Sequence, residues 1–517
     1  MAHADPGRSG AAAVAARASD TNDSEAQLLN HRSAAFARVA RALDARGKTS
    51  SGATLIVSHP YNRETVAELP LDSGDDARRK LQRAARFRSA LSRHERIAVF
   101  DKAIALLAAE KRDASILITL ESGLCRKDTM YEVDRVINVL HAAIAELNRD
   151  DGQTFSCDNA TSDERRKIFT VREPLRGVIV AITPFNHPMN QVAHKICPAI
   201  ASNNRIVLKP SEKTPLSALY LLDLFREAGL PEPMFDVVIG EPNALGAALV
   251  CDEHVELVAF TGSVAVGKRI AQMAGYRRTV LELGGNDPLI VMEDADLERA
   301  AQLAAKGSYK NSGQRCTAVK RILVERTVAR PFTELLVEHS RRWQTGDPMD
   351  ERVDIGTLID DAAAIECARR VDEARDAGAR VLLGHQRDGA AYAPTVLERV
   401  GPALRLVQQE TFGPVSPVIT FCGLDEAVAI ANSTRYGLSS GVCTNRLDYI
   451  THLIAHLDVG TVNVWEVPGF RLESTPFGGV KDSGLGSKEG MQEAIKNFTN
   501  LKTYSLPWDT LAHPHAA

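Results

Sequence analysis

The chain has 517 residues, 44% hydrophobic and 25% charged, as expected of a soluble globular protein large enough for more than one domain. Its formal net charge of -4 excludes a general attraction to nucleic acid or anionic membrane, so any affinity for anions must come from a local site. The 8 cysteines are scattered, with no CxxC pair and no His/Cys cluster, which argues against a metal site and against a disulfide framework.

Residues 1–30, rich in Ala, Ser and Gly, read as a mobile extension. They lack the basic start and apolar run of a signal peptide, and Asp5, Asp20, Asp23 and Glu25 oppose a transit peptide. The expected setting is therefore the reduced cytoplasm. A helical region follows to about residue 148, where Val133, Val136, Ile137, Leu140, Ile144 and Leu147 recur at helical spacing. The polar stretch Asn148 to Lys167 predicts a connection or a protruding hairpin.

From Gly177 the pattern becomes short apolar runs alternating with helical segments. Gly177 to Ile182, Arg205 to Lys209, Phe235 to Ile239, Leu257 to Phe260 and Thr279 to Leu283 predict strands. None of these runs is long enough to cross a bilayer. Thr214-Pro215 predicts a helix start with its own cap, and that helix ends near Gly229. A further alternating region runs from Pro288 to about residue 470. Such alternation favours an α/β fold with parallel sheets covered by helices.

Several residues have the chemistry of a reactive site. Cys316, in Gly313-Gln-Arg-Cys-Thr317, stands beside a guanidinium that favours thiolate, although an inert buried thiol is the commoner reading of such a cysteine. Glu282 ends a strand pattern, where it can face a cleft as a general base or serve as an ion-paired cap. Asn186, between Pro184 and Pro188, has an amide suited to an oxyanion, or is simply a turn residue. Gly262-Ser-Val-Ala-Val-Gly267 joins a strand to a helix and can admit a pyrophosphate, yet lacks the GxGxxG fingerprint. Lys209-Pro-Ser-Glu212 can meet ribose or phosphate, or form a solvated loop.

In order and spacing, these segments resemble the aldehyde dehydrogenase superfamily from roughly residue 50 to residue 506. The similarity rests on Pro184-Phe-Asn-His-Pro188, Lys209-Pro-Ser-Glu212, Phe260-Thr-Gly-Ser263, Glu282-Leu-Gly-Gly285, Gly313-Gln-Arg-Cys316, Glu410-Thr-Phe-Gly-Pro414, Pro476-Phe-Gly-Gly479 and Lys481-Asp-Ser-Gly484. The resemblance implies Cys316 as nucleophile, Glu282 as general base and Asn186 as oxyanion donor, with a thioester that water hydrolyses after hydride transfer. Relatives that pass the acyl group to coenzyme A usually lack the base, so a free acid is the expected product. Lys209 and Glu212 would meet the adenosine ribose, Ser263 the pyrophosphate, and Glu410 with Phe412 the nicotinamide side. A carboxylate at Glu212 repels a 2′-phosphate, which makes NAD the expected cofactor and NADP the alternative.

The resemblance also implies a Rossmann-type parallel-sheet cofactor domain over residues 31–147 and 174–284, and an α/β catalytic domain over 285–487. Residues 148–173 and 488–517 would supply a small β oligomerisation extension and the tail of a homodimer or homotetramer.

Arg315, His187 and Arg135 depart from the commoner family pattern, and Arg471 is a fourth candidate. They resemble positions at which phosphorylated or phosphonylated aldehydes are held, and guanidinium forks suit such oxygens. The alternatives are a solvated Arg135 and an Arg315 that serves only to lower the thiol pKa. Gly313 to Arg321 and Asn463 to Arg471 look most like the phosphonoacetaldehyde dehydrogenase subgroup. Non-phosphorylating glyceraldehyde-3-phosphate dehydrogenases are similar around Cys316, and other short semialdehydes come next. A catalytically silent binding member is the reading from a different class.

Overall fold

Five short apolar strands, Val178–Ile182, Ile206–Lys209, Phe235–Val237, Val255–Thr261 and Arg278–Glu282, alternate with the helices Pro188–Ala201, Leu216–Glu227, Pro242–Val250 and Val264–Ala274 in a computed structural model. The model describes residues 33–46, 49–149, 152–159 and 166–508. The extension expected over residues 1–30 lies outside the described residues, as does the end of the tail from 509.

All five strands are parallel, in the spatial order Phe235–Val237, Ile206–Lys209, Val178–Ile182, Val255–Thr261, Arg278–Glu282. Burial on both faces explains why they read as continuous apolar runs rather than alternating ones. The order reverses between Val178–Ile182 and Val255–Thr261. In sheets of this kind the crevice beyond the carboxyl ends at that point receives ligands.

A second sheet of seven strands holds Asp287–Val291, Val319–Glu325, Val415–Phe421 and Ser439–Cys443 at its centre. It is parallel except where Arg380–Leu383 pairs antiparallel with Thr395–Glu398. A third sheet joins distant parts of the chain: Arg166–Pro174 pairs with Thr154–Ser156 on one side and Thr499–Pro507 on the other. Among the described residues no helix is long and apolar enough to cross a membrane.

Two expectations need correction. The region before residue 148 is not wholly helical, because Thr54–Ser58 and Thr65–Pro70 form an antiparallel hairpin. Those strands are short and half-exposed, so they leave little periodic signal. The helix after Thr214 begins at Leu216, and Thr214 does not cap it. Buried Glu121 does so from elsewhere, accepting from Leu216 N at 2.7 Å and Ser217 N at 3.1 Å.

The apolar stripe noted in the sequence lies on the helix Arg126–Leu147, which buries Val133, Val136, Val139 and Leu140 completely. Each such side chain contributes about 1.5–3 kcal/mol on burial. This helix packs on Pro188–Ala201, the helix that follows the first strand of the five-stranded sheet.

Candidate active site

Four of the residues singled out in the sequence stand at carboxyl ends of the five-stranded sheet. Lys209 and Glu282 end their strands, Asn186 follows Val178–Ile182, and Ser263 follows Val255–Thr261. Fold topology thus brings them to the ligand crevice. Cys316 comes from the second sheet, on the turn that leads into Val319–Glu325.

The segment before Cys316 has an unusual backbone. Asn311, Ser312 and Gly313 all have positive φ, at 61°, 54° and 68°. Left-handed backbone is costly for a residue with a Cβ, so this run needs external support. Asp128 Oδ2 supplies it, accepting from Asn311 N at 2.7 Å. Asn311 Nδ2 donates to Asn186 O at 2.8 Å, and Lys320 Nζ donates to Gly313 O. Gly313 admits no side chain, because a Cβ there would lie 2.3 Å from the backbone of Gly413.

Asn186 and the cysteine loop hold each other. Asn186 Nδ2 donates to Gln314 O at 2.8 Å, which leaves its second amide hydrogen as a donor. The helix after Asn186 is fixed from outside as well. Glu132 Oε1 accepts from Met189 N at 2.8 Å and Asn190 N at 2.9 Å, while His187 at the N-cap gives no side-chain cap.

Burial pushes the Cys316 thiol up to about 12, and Glu410 and Asp287 add to the rise. Arg471 is the cation that opposes it most, and Arg315 and Lys320 also interact with the thiolate charge. The guanidinium next in sequence does act on the thiol, but desolvation outweighs it, and Arg471 supplies the main opposing positive charge.

Glu282 is 3% exposed, and neither of its carboxylate oxygens has a hydrogen-bond partner among the described residues. Burial, reinforced by the charge of Glu489, raises its pKa well above the ordinary carboxylate range, against Lys195, Arg471 and Lys488. Lys195 Nζ pairs with Glu489 at 2.6 Å, and Arg471 Nη1 reaches the other oxygen of Glu489 at 3.2 Å. Sequence reasoning missed both Lys195 and Glu489. Lys195 lies on the helix just after Asn186, but Glu489 carries no local signal.

A cavity of about 790 Å³ opens beside the cysteine loop, and Arg135, His187, Arg315 and Arg471 all line it. Two of these cations are already matched. Arg135 Nε donates to Glu473 at 2.7 Å, and Arg471 is paired with Glu489. His194 Nε2 lies 2.9 Å from Glu473. Burial alone would raise the Glu473 pKa, but His194, Arg135 and Arg471 hold it well below the usual range. His187 stays neutral, because burial and the surrounding cations push its pKa well down. Arg315 differs from the other two arginines: among the described residues its guanidinium has no hydrogen bond and no ion pair.

The residues expected to meet the cofactor are Ser263, Lys209, Glu212, Glu410 and Phe412. Ser263 caps the exposed start of the helix Val264–Ala274. Lys209 is buried rather than solvated; its Nζ donates to Pro210 O at 3.2 Å and lies 3.7 Å from Glu212. Glu410 Oε1 accepts from Gly285 N at 3.2 Å, and burial pushes its pKa up to about 7. A Cβ on Gly284 would strike the same carboxylate. The Phe412 ring meets Phe185 edge-on at 5.9 Å. Among the described residues no cluster suits a metal ion.

Residues 48–504 match the model of the aldehyde dehydrogenase family. The chain is 37% identical to a 3-sulfolactaldehyde dehydrogenase of Priestia aryabhattai over 87% of its own length and 94% of the relative's. It is 40% identical to a sulfoacetaldehyde dehydrogenase of Neptuniibacter caesariensis over 79% and 89% of the two chains. A glyceraldehyde-3-phosphate dehydrogenase of Methanocaldococcus jannaschii, solved with NADP, superposes with a TM-score of 0.84 at 34% identity, covering 88% of this chain and 99% of that one. With the fold, the ordered motifs and the site geometry in agreement, the chain belongs to the aldehyde dehydrogenase family.

Proposed function

We propose that this protein oxidises a short anionic aldehyde to its carboxylic acid with NAD(P), through a thioester on Cys316, and that phosphonoacetaldehyde, giving phosphonoacetate, is its substrate. The observation that carries this reading is the unpartnered Arg315 guanidinium in the cavity beside Cys316. A half-buried cation with free N–H groups is preorganised for phosphonate oxygens. Its adjacency to the nucleophile suits an aldehyde whose anion lies only a few bonds from the carbonyl. Sulfonated aldehydes are the second reading, favoured by the names of the relatives at 37% and 40% identity.

The half-buried Cys316 thiol gives its proton to water, and the thiolate Sγ attacks the aldehyde carbon. The second amide hydrogen of Asn186 and the Cys316 backbone N–H donate to the developing oxyanion. NAD(P), when bound at Lys209, Glu212, Ser263, Glu410 and Phe412, supplies the hydride acceptor. Collapse of the tetrahedral adduct leaves the acyl group on Cys316. Ionised Glu282 takes a proton from water, the resulting hydroxide attacks the thioester, and Cys316 leaves as the acid is released. Because its pKa is raised, Glu282 is a stronger base than an ordinary carboxylate once ionised. Glu212 favours NAD, while Lys209 close by softens its repulsion of a 2′-phosphate.

The test compares kcat/KM for phosphonoacetaldehyde, sulfoacetaldehyde, glyceraldehyde 3-phosphate and succinic semialdehyde, each with NAD and NADP. Phosphonoacetaldehyde should lead. Arg315→Met should lower kcat/KM for the anionic aldehydes about a hundredfold more than for propanal. Equal losses on both kinds of aldehyde would overturn the anion site.

A further inference from the structure

We infer that Lys310 is a specificity-determining residue that makes the cavity select doubly charged anionic aldehydes over singly charged ones. This deepens the reading above and rests on it.

Lys310 begins the turn that carries the left-handed run to Cys316, and it lines the same cavity as Arg315. No carboxylate lies within ion-pair distance of its Nζ among the described residues; instead the ammonium sits 3.4 Å from the centroid of the Tyr131 ring. An aromatic face holds a cation in place without neutralising it. Arg135 and Arg471 differ in this respect, each being matched to a carboxylate. The cavity therefore presents two buried or half-buried cations, Arg315 and Lys310, that lack a counterion of their own. One negative charge on a ligand satisfies one of them. A phosphonate or phosphate dianion satisfies both, whereas a sulfonate carries a single charge throughout the working range.

The groups facing Lys310 are consistent with this division. From the helix Arg126–Leu147 come Asp128, Tyr131 and Arg135; Lys306 lies on the helix just before it. Asp128 is occupied with Asn311 N, and burial raises its pKa. His187 is neutral, and Glu473 is committed to Arg135 and His194. Glu466 Oε1 accepts from Val467 N, and Arg471 turns to Glu489. Burial, with Arg315, Lys306 and Arg135, pulls Lys310 down to about 8 against the attraction of Asp128. The ammonium is thus charged below about pH 8 and loses its charge above it.

The test is the ratio of kcat/KM for phosphonoacetaldehyde to that for sulfoacetaldehyde, measured on the full-length enzyme from pH 6.5 to 9.5. In the wild type the ratio should fall as pH rises through about 8. Lys310→Met should lower it at pH 7.5 by about tenfold or more, and remove the fall. Lys310→Arg, always charged, should keep a high ratio across the range. Both substrates losing equally in Lys310→Met, or a wild-type ratio without a step near pH 8, would overturn the role of Lys310 while leaving the Arg315 reading intact. A wild type inactive on every anionic aldehyde would overturn both.

Discussion

Asp128 Oδ2 accepts the backbone hydrogen of Asn311 at 2.7 Å, tying the helix that lines the arginine-bearing cavity to the left-handed run before Cys316. The bond is buried and offsets part of the strain that non-glycine residues bear in that conformation. Asp128→Ala should leave the Asn311 amide unsatisfied, costing about 1–3 kcal/mol of stability. It should also lower kcat more than it raises KM, because the nucleophile is displaced rather than the anion seat. Asp128→Asn keeps an acceptor oxygen and should lose less of both. Urea unfolding and steady-state kinetics on the two variants check this; equal losses in both would refute it.

Glu282 should act after hydride transfer, not before. Glu282→Gln should therefore give a burst of about one reduced cofactor per active site and then nearly stop, with the acyl group retained on Cys316. Rapid-mixing absorbance and intact mass measure the two quantities. A variant without a burst would place Glu282 at the thiol-activation step instead.

The pH dependence follows from the same carboxylate. Burial and Glu489 raise its pKa above that of an ordinary carboxylate, and only the ionised form can accept a proton from water. Deacylation should therefore weaken as pH falls through this raised value, so the acid limb of kcat lies above the range of an ordinary carboxylate. Glu489→Gln removes a neighbouring negative charge and should move that limb to lower pH. A limb unmoved or moved upward would show that Glu489 does not control Glu282.

Gly313 is the third residue of the left-handed run, with φ of 68°, and its missing Cβ would lie 2.3 Å from the backbone of Gly413. Gly313→Ala should cost at least about 2 kcal/mol from conformation alone, with backbone displacement added. Thermal unfolding should show a clear loss, and alkylation of Cys316 by iodoacetamide should change in rate. Wild-type stability and reactivity would mean that the loop can shift without consequence.

Much of this arrangement is legible in the sequence, for identifiable reasons. The five parallel strands are continuous apolar runs, and the ordered motifs mark Asn186, Lys209, Ser263, Glu282 and Cys316. Arg315 is visible because it adjoins Cys316 in the sequence. What escapes is whatever depends on partners far apart in the chain. Glu473 neutralising Arg135, Glu489 facing Glu282 and Glu121 capping a helix that Thr214 was expected to cap all join segments that no local pattern connects. The effect of burial on Cys316 is equally invisible, since a neighbouring arginine in sequence says nothing about desolvation.

The helix Arg126–Leu147 bears Asp128, Glu132 and Arg135 toward the cysteine loop, the Asn186 helix and the cavity beside Arg315 respectively. Three duties thus ride on one rigid rod, and none of them can be adjusted by moving the rod without disturbing the other two. Asn138 and His141, on the cavity side of the same helix, are exposed and fix no other segment among the described residues. Divergence toward a bulkier aldehyde has its open route there, where the walls of the entrance can be recut while the reacting centre keeps its shape.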